Sequence, residues 1–161
     1  MNPRTMLSLF LLSVLFAVSL SAADLADKKG LTLEVAKEVA AAAAAFAEKN
    51  GWNVDVAILD ESGRLKYFEA GDKPMPASVE LSIQKAQNAY HYRRPSLEMF
   101  EGAVKTPVRG VLPHGIPFNG GYPLMADGQL VGAIGVSGLT AEQDGQVSKA
   151  GADSLAGILS R

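Results

Sequence analysis

Two hydrophobic rhythms alternate along this chain, one with a period near 3.6 and one with a period of two, and their order outlines its elements. Val35, Val39, Ala42 and Phe46 recur at helical spacing. Thr32 stands where an N-cap belongs, Glu34 and Glu38 lie early, and Asn50-Gly51 supplies a stop. The alanine run 40–45 falls inside this helix. Its small side chains on several faces suit close approach by another surface, such as a second subunit, or simply high helix propensity. Residues 52–60 then alternate, with Val54, Val56 and Ile58 on one face. Glu61-Ser62-Gly63 makes a tight turn, and 64–70 return as the partner strand. A loop, 71–76, leads into a helical stretch, 77–94, halted by Pro95, and 97–104 can form a further short helix. The longest irregular stretch is 105–121, where Pro107, Pro113 and Pro117 mix with Gly110, Gly115, Gly120 and Gly121. Such stretches inside compact domains are usually functional.

A second hairpin follows: 122–126, an Asp127-Gly128 turn, then 129–137. Thr140-Ala141-Glu142-Gln143 is a capping box opening a last helix to about 159, with Val147, Ala150, Leu155 and Ile158 inward. Hairpins make antiparallel pairs. The order predicts an α+β fold, an antiparallel sheet built from two hairpins and flanked by helices, like the profilin α/β sandwich.

The N-terminus changes the picture of where the protein works. Arg4 precedes a run from Met6 to Leu20 interrupted only by Ser8, Ser13 and Ser19, and small residues follow at Ser21, Ala22 and Ala23. At roughly 15 residues the run is short for a membrane span, which needs about 20. A basic start, a short apolar run and small residues at −3 and −1 predict a signal peptide over 1–23, with a domain over 24–161 that is periplasmic or secreted and spans no membrane after cleavage. Losing Arg4 leaves 14 of the 15 basic and all 17 acidic side chains. That balance argues against nucleic acid as a partner. With no cysteine, disulfides, thiolate zinc sites, iron–sulfur clusters and c-type haem attachment are excluded.

Three features could carry chemistry. Gly132 and Gly135 strip both faces of one strand, which then delivers Ser137-Gly138 into the capped helix, where free N–H groups can receive an anion. Close helix-on-sheet packing is the other explanation. Lys85, Asn88 and Tyr92 share a helical face, with Arg93 and Arg94 just beyond; this suits an anionic ligand or a solvated helix end. His114, fixed between Pro113 and Pro117 and close to Gly120-Gly121, could ligate a metal or act as a base, or simply face solvent. His91 lies on the helix beside the basic pair, pointing to solvent or an interface. No catalytic residue can be assigned.

Several segments together resemble the GlcG/HbpS-like, or haem-degrading domain, family. They are Ser82-x-x-Lys85-Ala86-x-x-Ala89-x-x-x-Arg93-Arg94, Gly120-Gly121-Tyr122-Pro123-Leu124, the run from Asp127-Gly128 through Gly135-Val136-Ser137-Gly138-Leu139-Thr140, and Gln143-Asp144 with Gln146-Val147. The resemblance covers residues 31–159. It implies an antiparallel sheet flanked by helices that assembles into homo-oligomers, commonly octamers, and a ligand that is haem or another small anion. It does not imply a defined reaction, and iron ligands differ among members. The expected protein is thus an exported, non-catalytic, oligomeric haem binder. Arg93, Arg94 and Lys85 would meet the propionates, Gly120, Gly121, Ser137 and Gly138 would approach the ligand, and His114 would be the metal ligand. The alternative is an enzyme or accessory protein for a small hydroxy or oxo acid such as glycolate, held by the same basic residues and the Ser137-Gly138 helix entry.

Overall fold

Two short hydrophobic hairpins cannot bury their faces alone, and here they join edge to edge. The computed structural model describes residues 25–106 and 114–161. The expected signal peptide, 1–23, and the loop segment 107–113 lie outside them. Strands β1 (Asp55–Asp60), β2 (Leu65–Glu69), β3 (Gly121–Ala126) and β4 (Gln129–Ser137) form one sheet in the order β2-β1-β4-β3. Every pairing is antiparallel, as the hairpin pattern predicts. The helices are α1 (Leu33–Lys49), α2 (Ala77–Tyr92), α3 (Ser96–Lys105) and α4 (Ala141–Leu159). Among the described residues no helix is long and apolar enough to cross a membrane.

The two faces of the sheet are built differently. On one, α1 and α4 pack against each other and over the strands. There Val56, Ile58, Leu124, Ile134 and Val136 meet Val39, Ala43, Val147 and Leu155 in the main core. The alanine run finds its explanation here. The buried stripe of α1 is Ala36, Val39, Ala40, Ala43 and Ala47, turned from the expected one so that Val35 and Phe46 lie at its flank. These alanines admit α4 closely: a Cβ at Gly151 would lie 3.0 Å from the Ala43 Cβ. The expected strand start at 52 moves to Asp55 because the Trp52 N–H is spent on the Ala47 carbonyl that ends α1.

On the other face α2 covers β4, β1 and β3, and α3 also touches β3. The row beneath it is made of small residues, Ala57 opposite Gly135 and Gly135 opposite Gly121. A Cβ at Gly135 would lie 2.5 Å from the Ala86 nitrogen, and one at Gly121 would lie 2.9 Å from the Lys85 carbonyl carbon. The helix backbone therefore rests on the strand backbones. All six residues of β1 are buried, since the strand is covered on both faces.

Both helix starts read from sequence are present. Thr32 accepts from the Val35 N–H, and Thr140 forms the reciprocal capping box with Gln143. Helix α2 stops at Tyr92, and Arg93 takes left-handed geometry, φ 53°. That conformation costs an L-residue about 1–2 kcal/mol, and glycine usually occupies it. Arg93→Gly is therefore expected to raise stability by about 0.5–1 kcal/mol, after discounting the greater freedom of glycine in the unfolded chain. A denaturant titration checks this.

Candidate functional site

The residues singled out from sequence separate into two regions at opposite halves of α2. Lys85 lies within the helix and the arginines just past its end, and the seven residues of rise from Lys85 to Tyr92 alone span about 10 Å along its axis.

In the first region Lys85 points inward and is only 4% exposed. Its Nζ donates to the Asp144 carboxylate at 2.6 Å and to the Val136 carbonyl at 3.0 Å. Asp144 is 2% exposed and also accepts the Leu139 N–H at 3.1 Å. Burial pushes the Asp144 carboxyl up, while the Lys85 ammonium and the Leu139 N–H act against it. Lys85 is thus held away from Arg93 and Arg94 by an internal partner. Asp144 lies 59 residues further on, and nothing in the local pattern of either residue signals the pairing.

The glycines expected to approach a ligand instead approach other protein groups. Gly120 has φ 122°, and a Cβ there would sit 2.6 Å from the Val136 carbonyl oxygen. Gly121 admits the α2 backbone, and its N–H donates to the Ser96 hydroxyl at 2.8 Å. Gly138 has φ 143° and passes close to Asn53 and Val54. Ser137 and Gly138 nevertheless line a small cavity of about 160 Å³ together with Lys85 and Asp144.

The second region surrounds the C-terminal end of α2. Gly115, with φ 67°, lets the loop run against that helix, since a Cβ there would lie 2.5 Å from the Asn88 nitrogen. This path lays His114 over His91, ring on ring, with centroids 4.1 Å apart and planes inclined by 22°. Tyr90 stands edge-on to His91 and donates its hydroxyl to the Glu61 carbonyl, tying the helix end to the β1–β2 turn. Arg93 and Arg94 follow, both exposed. Arg93 lines a polar cavity of about 320 Å³ with Lys28, Lys29, Glu61 and Tyr90. His91, expected to face only solvent or an interface, is thus part of a pair with His114. Burial, and then the charge that His114 can carry, lower the His91 pKa. A neutral imidazole near neutral pH is the form that ligates metal. Beneath this corner the Asn88 side chain is sealed from solvent and has no hydrogen-bond partner for either polar atom among the described residues.

A third surface feature had no sequence signal beyond its composition. Leu97, Phe100 and Val104 expose one stripe of α3, and Phe118 stands edge-on to Phe100 at 6.4 Å. Leu97, Phe100 and Phe118 border an apolar cleft of about 340 Å³.

Comparison with known proteins places this geometry among relatives. A family model described as haem degrading protein, HbpS-like, matches residues 31–153. Protein GlcG of Escherichia coli (strain K12) is 37% identical over 110 residues, covering 66% of this chain and 81% of that protein. The crystal structure of HbpS superposes with a TM-score of 0.76 at 34% identity, covering 82% of this chain and 94% of that one. The crystal structure of a PduOC–haem complex has the same fold, with a TM-score of 0.70 at 24% identity over 78% of this chain and 95% of that one.

Proposed function

The chain belongs to the HbpS-like family, and from that premise we propose that it is an exported, oligomeric haem-binding protein that catalyses no reaction of its own. The observation that carries this reading is the meeting of His91 and His114 beside Arg93 and Arg94. An imidazole nitrogen is a haem-iron ligand, and guanidinium groups pair with propionate carboxylates. The donor set therefore fits the group. Stacked rings lie side by side and cannot grip opposite faces of one iron, so one histidine ligates and the other fixes its orientation. His114 is the ligand in this reading and His91 the positioning residue. Bound haem would supply a redox-active iron; the chain's part is to hold, orient and shield it.

Each of these side chains is exposed in one subunit, so a macrocycle bound there needs a second apolar surface over it. Assembly supplies one. The exposed stripe of Leu97, Phe100 and Val104 with Phe118 is the kind of patch that closed homo-oligomers bury, and an octamer is the assembly the family resemblance implies. Light scattering is expected to give several times the subunit mass, and Phe100→Asp with Val104→Asp to shift it downward. A monomer that those changes leave unaltered would remove the assembly from the account.

Arg94→Ala is expected to weaken haem binding roughly 10- to 100-fold with the fold intact, since a charge-assisted hydrogen bond contributes about 1.5–3 kcal/mol. Acid should act in the same direction. The lowered His91 pKa keeps that imidazole neutral somewhat below the ordinary histidine value, near 6.5. Below that range His91 takes on a positive charge against the His114 ring it positions, and there the unfolded chain holds more protons than the folded one, so binding and stability fall together. Haem titrations of both proteins across pH 5–8 test this.

A further inference from the structure

The sequence contains two Asn-Gly dipeptides, Asn50-Gly51 and Asn119-Gly120. Such a pair can react with itself, because glycine has no side chain to keep its nitrogen away from the preceding carboxamide. The structure holds the two pairs in opposite arrangements. At the end of α1 the Gly51 N–H donates to the Glu48 carbonyl at 2.9 Å, and the Asn50 Nδ2 donates to the Phe46 carbonyl at 2.8 Å. Nitrogen and carboxamide are both turned back onto the helix, although Asn50 is exposed. Ahead of β3 the Gly120 N–H instead donates to the Asn119 Oδ1 at 2.9 Å. The carbonyl carbon, Cγ, lies one bond, about 1.2 Å, behind that oxygen.

The surroundings hold this arrangement in place. The Asn119 carboxamide rests against α4 where Gly145 offers no side chain, and a Cβ there would lie 2.6 Å from the Asn119 Cγ. The Gly120 carbonyl accepts the Val136 N–H at 2.8 Å, which anchors Gly120 to β4. Its φ of 122° is open to glycine and strained for other residues. Asn119 itself is only half-buried and lines the cleft formed with Leu97, Phe100, Phe118 and Glu142. Water can enter there and a small leaving group can depart. A nucleophile and its target are thus held together before any reaction, which is what lowers the barrier of an intramolecular step.

We propose that Asn119 is a site of self-modification in the folded protein, converted to aspartate and isoaspartate by attack of the Gly120 nitrogen. That nitrogen gives its proton to water or hydroxide and bonds to the Asn119 Cγ, along the direction its N–H now occupies. The Cγ–Nδ2 bond breaks, and Nδ2 takes up a proton and leaves as ammonia. Water then opens the cyclic imide at either of its carbonyls. One opening gives aspartate at position 119, and the other an isoaspartyl link in which the main chain runs through the former side chain. Nothing is oxidised or reduced, and water is the only co-reactant. Either product adds a negative charge to the cleft beside Glu142. Neither the haem corner nor assembly is needed for the reaction, and only water and ammonia have to pass, as they do through wet interfaces.

Incubation of the whole protein at mildly alkaline pH, with its peptides mapped by mass spectrometry over time, tests this. In the folded protein the acid and its isoaspartyl isomer are expected at position 119 at least about 10-fold faster than at position 50, despite the greater exposure of Asn50. In denaturant the two positions should convert at similar rates, since the dipeptides are the same. Gly145→Ala leaves the dipeptide intact but pushes the carboxamide off its seat. It should slow conversion at position 119 about 10-fold in the folded protein and leave the rate in denaturant unchanged. An unaltered circular dichroism spectrum confirms that this variant folds. The proposal would be overturned by an Asn119 that converts in denaturant but stays intact in the folded protein, by Asn50 converting as fast as Asn119 there, or by a folded Gly145→Ala that converts as fast as the parent. The first two comparisons use the parent chain alone, so they decide the matter whatever the variant does.

Discussion

Asp144→Ala is expected to cost about 3–5 kcal/mol, the penalty for removing one partner of a buried ion pair and leaving the other charge uncompensated. The loss has two identifiable parts. Lys85 keeps only the Val136 carbonyl as partner in a site where its side chain is 5% exposed. The Leu139 N–H also loses its acceptor, loosening the turn that carries β4 into α4. Since domains of this size are stable by about 5–15 kcal/mol, the variant should unfold at a much lower denaturant concentration. Lys85→Met combined with Asp144→Leu should recover most of the loss, because no charge then remains buried. If Asp144→Ala stayed within about 0.5 kcal/mol of the parent, the range of ordinary surface changes, the pair would not be structural.

Gly135→Ala is the second large effect expected, about 3 kcal/mol or more, at the upper end of what overpacking costs. The added methyl would lie 2.5 Å from the Ala86 nitrogen and closer still to the Ser82 carbonyl oxygen. Both are backbone atoms of a regular helix and cannot turn aside as a flexible side chain would. Strand β4 is central in the sheet, so relief requires lifting α2 from all three strands it covers. Gly157→Ala in α4 provides the contrast. Nothing lies within 4 Å of a Cβ there, and replacing a helical glycine by alanine should stabilise by roughly 0.5–1 kcal/mol. Denaturant midpoints of the two variants measure the difference directly.

The elements were legible because their signals are local. The Asp127-Gly128 turn, the Thr140 box and the Asn50-Gly51 stop each act within a few residues, and the structure has a hairpin, a capped helix and a helix end at those places. The glycines of β4 were legible only as a choice between a ligand and close packing. At Gly135 the backbone of α2 decides for packing. Charge on α2 was read as a single group because a helix is one object in sequence. Which way Lys85 points depends on Asp144, brought in from α4 by the sheet between them. The His91–His114 stack was hidden for a similar reason: it depends on how a loop crosses α2, and the enabling residue, Gly115, differs in no local way from its neighbours in a glycine- and proline-rich stretch. Patterns of period two or 3.6 report which face is buried. They do not report which two buried groups meet.

The haem reading rests on the histidine pair, and a titration of the protein with haem, followed at the Soret band, tests it most directly. Wild type is expected to saturate with Kd near micromolar, about −8 kcal/mol. His114→Ala should change the position of the band by removing the iron ligand, His91→Ala should weaken binding with a smaller spectral change, and the double variant should lose the ligated spectrum. A weak, non-saturating spectrum in wild type, identical in the double variant, would contradict the account.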